Sequence, residues 1–331
     1  MKRYWFLVAL ALVVPLGLLW PEGGRRLREA GAVLPALVAT TLLITGFTLD
    51  PARLARQARN IRGILLALGT TYVVAPLLAY GLAILWGPET PLDTGEGLLF
   101  LQAVMIAAAQ AGTLASAIAL TAVARGDQEL ALVLTLSTNG LTPLLTPLVL
   151  QLSVGAVVDL PVGEMMLRMA LVVLLPVAAG QVARRLLRST ATPAMTVIKF
   201  VPQCIVLVFV YCGFAAAGAS FGQDGRLMLE FLGLAVSLHL LLLGWTYGTA
   251  TLLRLPAGER VAVVFCGSQK TLPNGIYVWS RFFAGNPYGA VPLVLYHVFQ
   301  LFVDALVVPW LEPRRSGKRR PRRREDPKNP G

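Results

Sequence analysis

Residues 264–275 read Val-Phe-Cys-Gly-Ser-Gln-Lys-Thr-Leu-Pro-Asn-Gly, which sets a lysine, two amides and a Pro-Asn-Gly break inside a stretch otherwise apolar enough to cross a bilayer. A helix in hydrocarbon must satisfy its own backbone groups, and an ionisable side chain there is costly. Such a break is tolerated only where protein buries it or where it lines a wet cavity. Lys270 is therefore the first candidate for a functional residue.

The rest of the chain reads as membrane. Of 331 residues, 56% are hydrophobic and 14% charged, against about 25% charged in soluble domains, and the mean hydropathy is +0.68. Apolar segments of about 20 residues, the length a bilayer core demands, recur at 5–20, 32–49, 63–86, 98–124, 130–154, 165–183, 200–219, 227–253, 261–284 and 290–311. The expectation is an all-α polytopic membrane protein of ten transmembrane helices. Lys2 and Arg3 before an apolar run also suit a signal peptide, but the run ends in Leu-Leu-Trp-Pro-Glu-Gly-Gly without a small-x-small cleavage site, so a retained helix is expected. Cys204, Cys212 and Cys266 lie inside spans at spacings that suit neither a metal nor a disulfide; they read as buried small hydrophobes. No metal or cofactor is implied.

Charge supplies an orientation. The formal net charge is +12, and the tail after Pro313 holds nine basic residues against Glu325 and Asp326. Under the positive-inside rule that tail, 312–331, is expected to be a disordered basic cytoplasmic segment following a 1–311 transmembrane domain. The same side then receives Lys2, Arg3, Arg53, Arg56, Arg59, Arg62, Arg125, Arg184, Arg185, Arg188, Arg254 and Arg260, while Glu89, Asp93, Glu96, Asp159, Glu164 and Asp224 face out. Both termini are expected in the cytoplasm, in the cell (inner) membrane. The loop 21–31, with Arg25, Arg26 and Arg28, dissents. The arginines at every third position from 53 to 62 stand in a segment too polar to be a voltage sensor. The tail has no aromatics with which to stack bases, so anionic membrane lipid rather than nucleic acid is its expected contact.

Ten spans divide into two sets of five, about 1–155 and 156–311, and an odd number per set inverts the second relative to the first. The fourth span contains Ala-Gln-Ala-Gly-Thr-Leu-Ala-Ser (109–116); the ninth contains Gly-Ser-Gln-Lys-Thr-Leu-Pro-Asn-Gly (267–275). Each is followed by a span carrying polar groups: Thr138, Asn139 and Thr142 with Pro143 and Pro147 in the fifth, and Pro292, His297, Gln300 and Asp304 in the tenth. Interrupted segments at matching places in two halves point to a midplane substrate site. The candidate residues are Lys270, Gln269, Ser268, Asn274, Thr113, Ser116, Thr138, Asn139, His297 and Gln300, with breaks expected near Gly112-Thr113 and Ser268–Asn274.

The block Val263 to Ile276, followed by Val291-Pro292 and Tyr296-His297-Val298-Phe299-Gln300-Leu301, resembles the sodium/bile-acid-symporter-like branch of the bile acid:sodium symporter superfamily. Ser116, Thr121, Ala124-Arg125-Gly126, Thr138-Asn139 and Pro143 to Pro147 agree with it, over about residues 5–311. The resemblance implies a panel of helices 1, 2, 6 and 7 and a core of helices 3–5 and 8–10, in which helices 4 and 9 unwind and cross. In the true bile acid symporters it also implies sodium at that crossing, held by a Ser-Asn pair, helix 5 hydroxyls and a Glu-x-Gly-x-Gln-Asn stretch. This chain departs from that pattern: Phe265 stands in the glutamate's place, Lys270 in the asparagine's, and the Ser-Asn pair gives way to alanines with Ser116 nearby.

A site that has lost a carboxylate and gained an ammonium disfavours sodium, and the ammonium can itself fill a cation site, donating to unwound carbonyls. Two readings of Lys270 follow: a group whose desolvated proton is labile, making the proton the coupling ion, or a fixed ionic strut. His297, Gln300 and Asp304 share one helical face as relay or substrate groups, or as packing residues, with Asp304 able to neutralise Lys270. His239 and Glu230 have no polar neighbours at helical spacing, and Gly244 and Gly248 read as a close-packing pair.

The expected function is secondary active transport of a small organic anion by alternating access, coupled to protons, with sodium as the alternative ion. Two other classes stand beside it. A membrane-embedded enzyme lacks a reactive constellation in the sequence, and a regulatory scaffold would leave the polar breaks without a purpose.

Overall fold

The computed structural model describes residues 5–48, 57, 59–187, 200–221 and 225–313, and among these every regular element is a helix. The basic tail beyond Pro313, Lys2, Arg3, Arg53, Arg56, Arg188 and Asp224 lie outside the described residues.

The elements are α1 Trp5–Leu19, α2 Pro21–Glu29, α3 Val33–Thr48, α4 Ile61–Trp86, α5 Gly95–Ala108, α6 Ala115–Val123, α7 Gln128–Val154, α8 Val162–Leu187, α9 Val201–Phe221, α10 Gly225–Leu252, α11 Ala257–Ser268, α12 Leu272–Phe282 and α13 Val291–Leu311. Five helices (α4, α7, α8, α10 and α13) are long and apolar enough to cross a membrane. A sixth span results if α1 and α2, bent by 87°, count as one. Three of the other expected spans are shorter for physical reasons. Two are split in the middle, as α5/α6 and α11/α12, and the 16 residues of α3 rise only about 24 Å at 1.5 Å per residue.

The dissenting segment 21–31 is largely helix rather than loop, started by Pro21 at the first helical position. Its arginines are partly spoken for: Arg25 pairs with Glu22, and the Arg28 guanidinium lies over the Trp279 ring at 5.4 Å.

The helices pack in two groups. One joins α1 and α2 to α9 and α3 to α8; the other joins α4, α5, α6, α7, α10, α11, α12 and α13. Within the first group α3 and α8 touch backbone to backbone, because a Cβ on Gly46 would stand 2.3 Å from Val177 O and one on Gly180 would stand 2.2 Å from Leu43 O. Gln181 and Arg184 of α8 then donate to Gly46 O and Phe47 O, satisfying carbonyls at the end of α3. Gly46→Val forces the two helices apart and is expected to lower stability by about 1–3 kcal/mol, read as a lower midpoint of thermal unfolding in detergent.

The second group contains the same sequence of elements twice. An unbroken helix, a broken pair and another unbroken helix occur as α4, α5/α6, α7 and again as α10, α11/α12, α13. Side chains and backbone at one end bind the starts of these helices together: Asn60 donates to Glu259 at 2.7 Å, and Asp127, whose carboxylate caps α7 through Leu130 N at 2.9 Å, donates its own N–H to Gly258 O at 2.9 Å.

Two expectations about apolar positions fail. Gly244 and Gly248 are exposed, with nothing within 4 Å of an added Cβ, so no helix among the described residues packs on them. Cys212 and Cys266 are buried, but Cys204 is exposed, on the outward side of α9.

Candidate functional site

The site begins with a proline. Pro76 has no N–H to give to the preceding turn, and α4 accommodates it through a π-helical turn at Thr70–Val74 in which Ala75 N bonds Thr70 O. The next donor in that register would be Pro76 itself. Thr71 O is therefore left without an intrahelical donor, deep in the core, where Thr71 has no solvent exposure. Lys270 Nζ fills the gap at 3.0 Å, and a second carbonyl, Gln110 O in the α5/α6 break, receives the same ammonium at 3.0 Å.

The two breaks, residues 109–114 and 269–271, meet. Thr271 N donates to Ala111 O at 2.8 Å, and a Cβ on Gly112 would lie 2.5 Å from Cys266 O, so the crossing strands touch backbone to backbone. Side chains replace the missing helical bonds. Asn139 Nδ2 donates to Gly112 O at 2.9 Å, and Thr146 Oγ1 to Ala109 O at 2.6 Å. On the other strand, Gln300 acts as a surrogate peptide: its Oε1 accepts from Lys270 N at 2.7 Å and its Nε2 donates to Lys270 O at 3.0 Å. The second hydrogen of that amide goes to His297 Nδ1 at 2.9 Å, so in neutral His297 the ring proton sits on Nε2.

Gln269 connects the two breaks. Its Oε1 accepts from Thr113 and from Ser116, the latter at 2.8 Å, and its Nε2 donates to Asp304 Oδ2 at 2.6 Å. Asp304 does not neutralise Lys270 by contact; its other oxygen lies 3.1 Å from His239 Nε2, both side chains being fully buried. His239 also meets Tyr296 Oη, which donates to Ser268 O at 2.6 Å. His239 has no polar neighbour at helical spacing on its own helix; its partners come from α13, 57 and 65 residues away. Glu230 is paired as well, with Arg226 at 2.9 Å.

Nine of the ten candidate residues thus gather at the crossing. Thr138 belongs there through its carbonyl, which accepts from Tyr72 at 2.6 Å. Asn274 is buried in the first turn of α12 but makes no hydrogen bond to these groups. Sequence reasoning missed Thr71, Gln110, Tyr72 and His239; Pro76 in the middle of a span was the one available signal, for Thr71.

The network is incomplete in one place. Of the six buried side-chain polar atoms without a partner among the described residues, five are Thr70 Oγ1, Thr71 Oγ1, Gln110 Oε1, Ser268 Oγ and His297 Nε2. All belong to this cluster, and all but the Gln110 oxygen can donate; the ammonium also uses only two of its three hydrogens. Beside the crossing, between α3, α8 and α7, lies a cavity of about 190 Å³ with mostly apolar walls, including Leu42, Leu114, Val173 and Val177, and with Asn139 at its edge.

Residues 4–312 match the SBF-like CPA transporter family. An uncharacterised protein of Pseudomonas aeruginosa is 31% identical over 285 residues, covering 82% of this chain and 83% of that protein. Sodium/bile acid cotransporter 7 of Mus musculus is 23% identical over 331 residues, covering 96% of each chain, and sodium/bile acid cotransporter 7-B of Xenopus laevis is 23% identical over 334 residues, covering 96% and 95%. The family and its named relatives are transporters, not enzymes, which agrees with a polar crossing that gathers hydrogen-bond donors but no reactive triad or metal cluster among the described residues. The chain belongs to the SBF-like CPA transporter family.

Proposed function

We propose that this protein is a secondary active transporter that moves a small organic anion across the cell membrane by alternating access, with the proton rather than sodium as coupling ion. The observation that carries the reading is the Lys270 ammonium seated on two orphaned backbone carbonyls where the breaks cross. A cation already occupies that position, and the unpartnered groups around it are mostly donors, which suits an anion. The apolar cavity alongside suits the hydrophobic part of an amphipathic solute.

In this reading the ten apolar segments span the membrane as two inverted sets of five, with both termini in the cytoplasm. The repeated order of unbroken, broken and unbroken helices supports that plan. The group of α1, α2, α3, α8 and α9 is the panel, and the remainder is the core that moves against it.

The relatives' name favours a second reading, a sodium-coupled symporter. Flux of taurocholate and of a panel of other amphipathic organic anions into proteoliposomes, with sodium replaced by choline at several fixed pH values, separates the two. Proton coupling predicts flux that is indifferent to the replacement and falls as the external pH rises. Flux that collapses in choline and ignores pH establishes sodium coupling instead.

A further inference from the structure

The hydrogen bonds around Asp304 call for one hydrogen more than an ionised Asp304 and a neutral His239 supply. Tyr296 has a single hydroxyl hydrogen and gives it to Ser268 O at 2.6 Å. Toward His239 Nδ1, at 3.3 Å, the phenol can then only accept, so this contact needs a hydrogen on Nδ1, while the contact of Nε2 with Asp304 Oδ1 at 3.1 Å needs one on Nε2 or on the carboxyl. A neutral imidazole has one ring hydrogen and completes only one of the two.

One added proton between Oδ1 and Nε2 completes both contacts in this fully buried site. The other carboxylate oxygen is not its place. Gln269 presents its NH2 to Oδ2 at 2.6 Å because its carbonyl is held by Thr113 and Ser116. The proton therefore sits on the Oδ1–Nε2 axis, and the pair is neutral with it and carries a charge of −1 without it.

We propose that the His239–Asp304 pair is the proton-binding site of this transporter and that Lys270 is the counter-ion of the anionic solute. The proposal rests on the proton-coupled reading above and assigns its two charges to separate groups.

Charge balance then produces coupling. With the pair deprotonated, its negative charge offsets the ammonium and the empty core is neutral. With the pair protonated, the ammonium is uncompensated until a monovalent anion arrives, and the loaded core is neutral again. Only the half-loaded states bury a net charge, which a membrane core disfavours. One proton and one anion move together, and the proton enters from and leaves to water with no other bond changed.

Gln269 physically links the two sites, since it touches Asp304 and is the chain neighbour of Lys270. The other buried titratable groups on the elements packed against the pair are Tyr72 on α4, Cys266 on α11, Lys270 in the break, Tyr296 and His297 on α13, Cys212 on α9 and Tyr277 on α12. Of these only Tyr296 touches the pair directly.

Two measurements test the assignment. In a differential acid–base titration of purified protein in detergent, which needs no solute, wild type is expected to release about one proton per molecule more than Asp304→Asn. His239→Gln, a second variant that keeps a polar side chain at that position, is expected to change the same step.

In proteoliposomes, with whichever anion the panel above identifies, Asp304→Asn mimics the permanently protonated pair. Accumulation driven by a pH gradient is expected to fall at least tenfold, and anion exchange at equal pH much less. Lys270→Ala is expected to lose both. Equal proton release by wild type and Asp304→Asn, or undiminished pH-driven accumulation in that variant, overturns the assignment while leaving the anion site standing. Undiminished exchange in Lys270→Ala overturns the underlying reading instead.

Discussion

Lys270→Ala is expected to reduce flux by at least about a hundredfold while the protein still inserts and purifies as a single species. The substitution strands Thr71 O and Gln110 O, both fully buried and both satisfied by the ammonium. Each stranded acceptor costs about 1–3 kcal/mol of stability, so the unfolding midpoint in detergent should fall as well. The same change removes the positive charge that an anion would meet. Flux and detergent-solubilised yield should be measured on the same preparation. Flux within about threefold of wild type, with yield preserved, would show that the ammonium is a strut.

Gly112→Val is the second large effect. A Cβ at this position would stand 2.5 Å from Cys266 O, a backbone atom that cannot swing aside, so the side chain must push the two breaks apart. Overpacking of this kind costs about 1–3 kcal/mol. Its functional cost is larger, because the contacts Thr271 N to Ala111 O and Gln269 to Thr113 depend on that separation. Transport is expected to be lost and the unfolding midpoint lowered. Gly81→Val on the exposed side of α4, where an added Cβ meets nothing within 4 Å, is the control and should change neither. Equal behaviour of the two variants would mean that the close approach at the crossing does not matter for function.

Much of the site could be read from residue order because local chemistry forces it. Lys270 between Gln269 and the Pro-Asn-Gly run cannot sit in a lipid-facing helix, and Gly112 among alanines and polar groups marks the matching weak point. Asn139, Gln300 and His297 were legible for the same reason: amides and an imidazole inside apolar spans need partners, and an unwound segment supplies them.

Other parts were out of reach. Thr71 acts through its carbonyl, freed by a π turn, so its side chain carries no sign of the role. His239 and Asp304 lie 65 residues apart on different helices, and no helical periodicity relates them. The small-residue pair Gly244 and Gly248 had the pattern of a packing seam and proved to face outward, because periodicity marks a face without saying what covers it.

The sequence by itself determined the class of protein and the presence of two interrupted segments, since both follow from hydropathy and backbone satisfaction along the chain; the departure of Lys270 and Phe265 from a sodium-binding pattern is what the family resemblance implies. Only the tertiary structure decided which charge meets which. Sequence spacing left Asp304 free to pair with Lys270; the folded core gives the lysine to two backbone carbonyls and the aspartate to His239 and Gln269. The physical reason is that a buried charge takes whatever partner packing brings within about 3 Å, and packing between distant helices is a property of the whole fold.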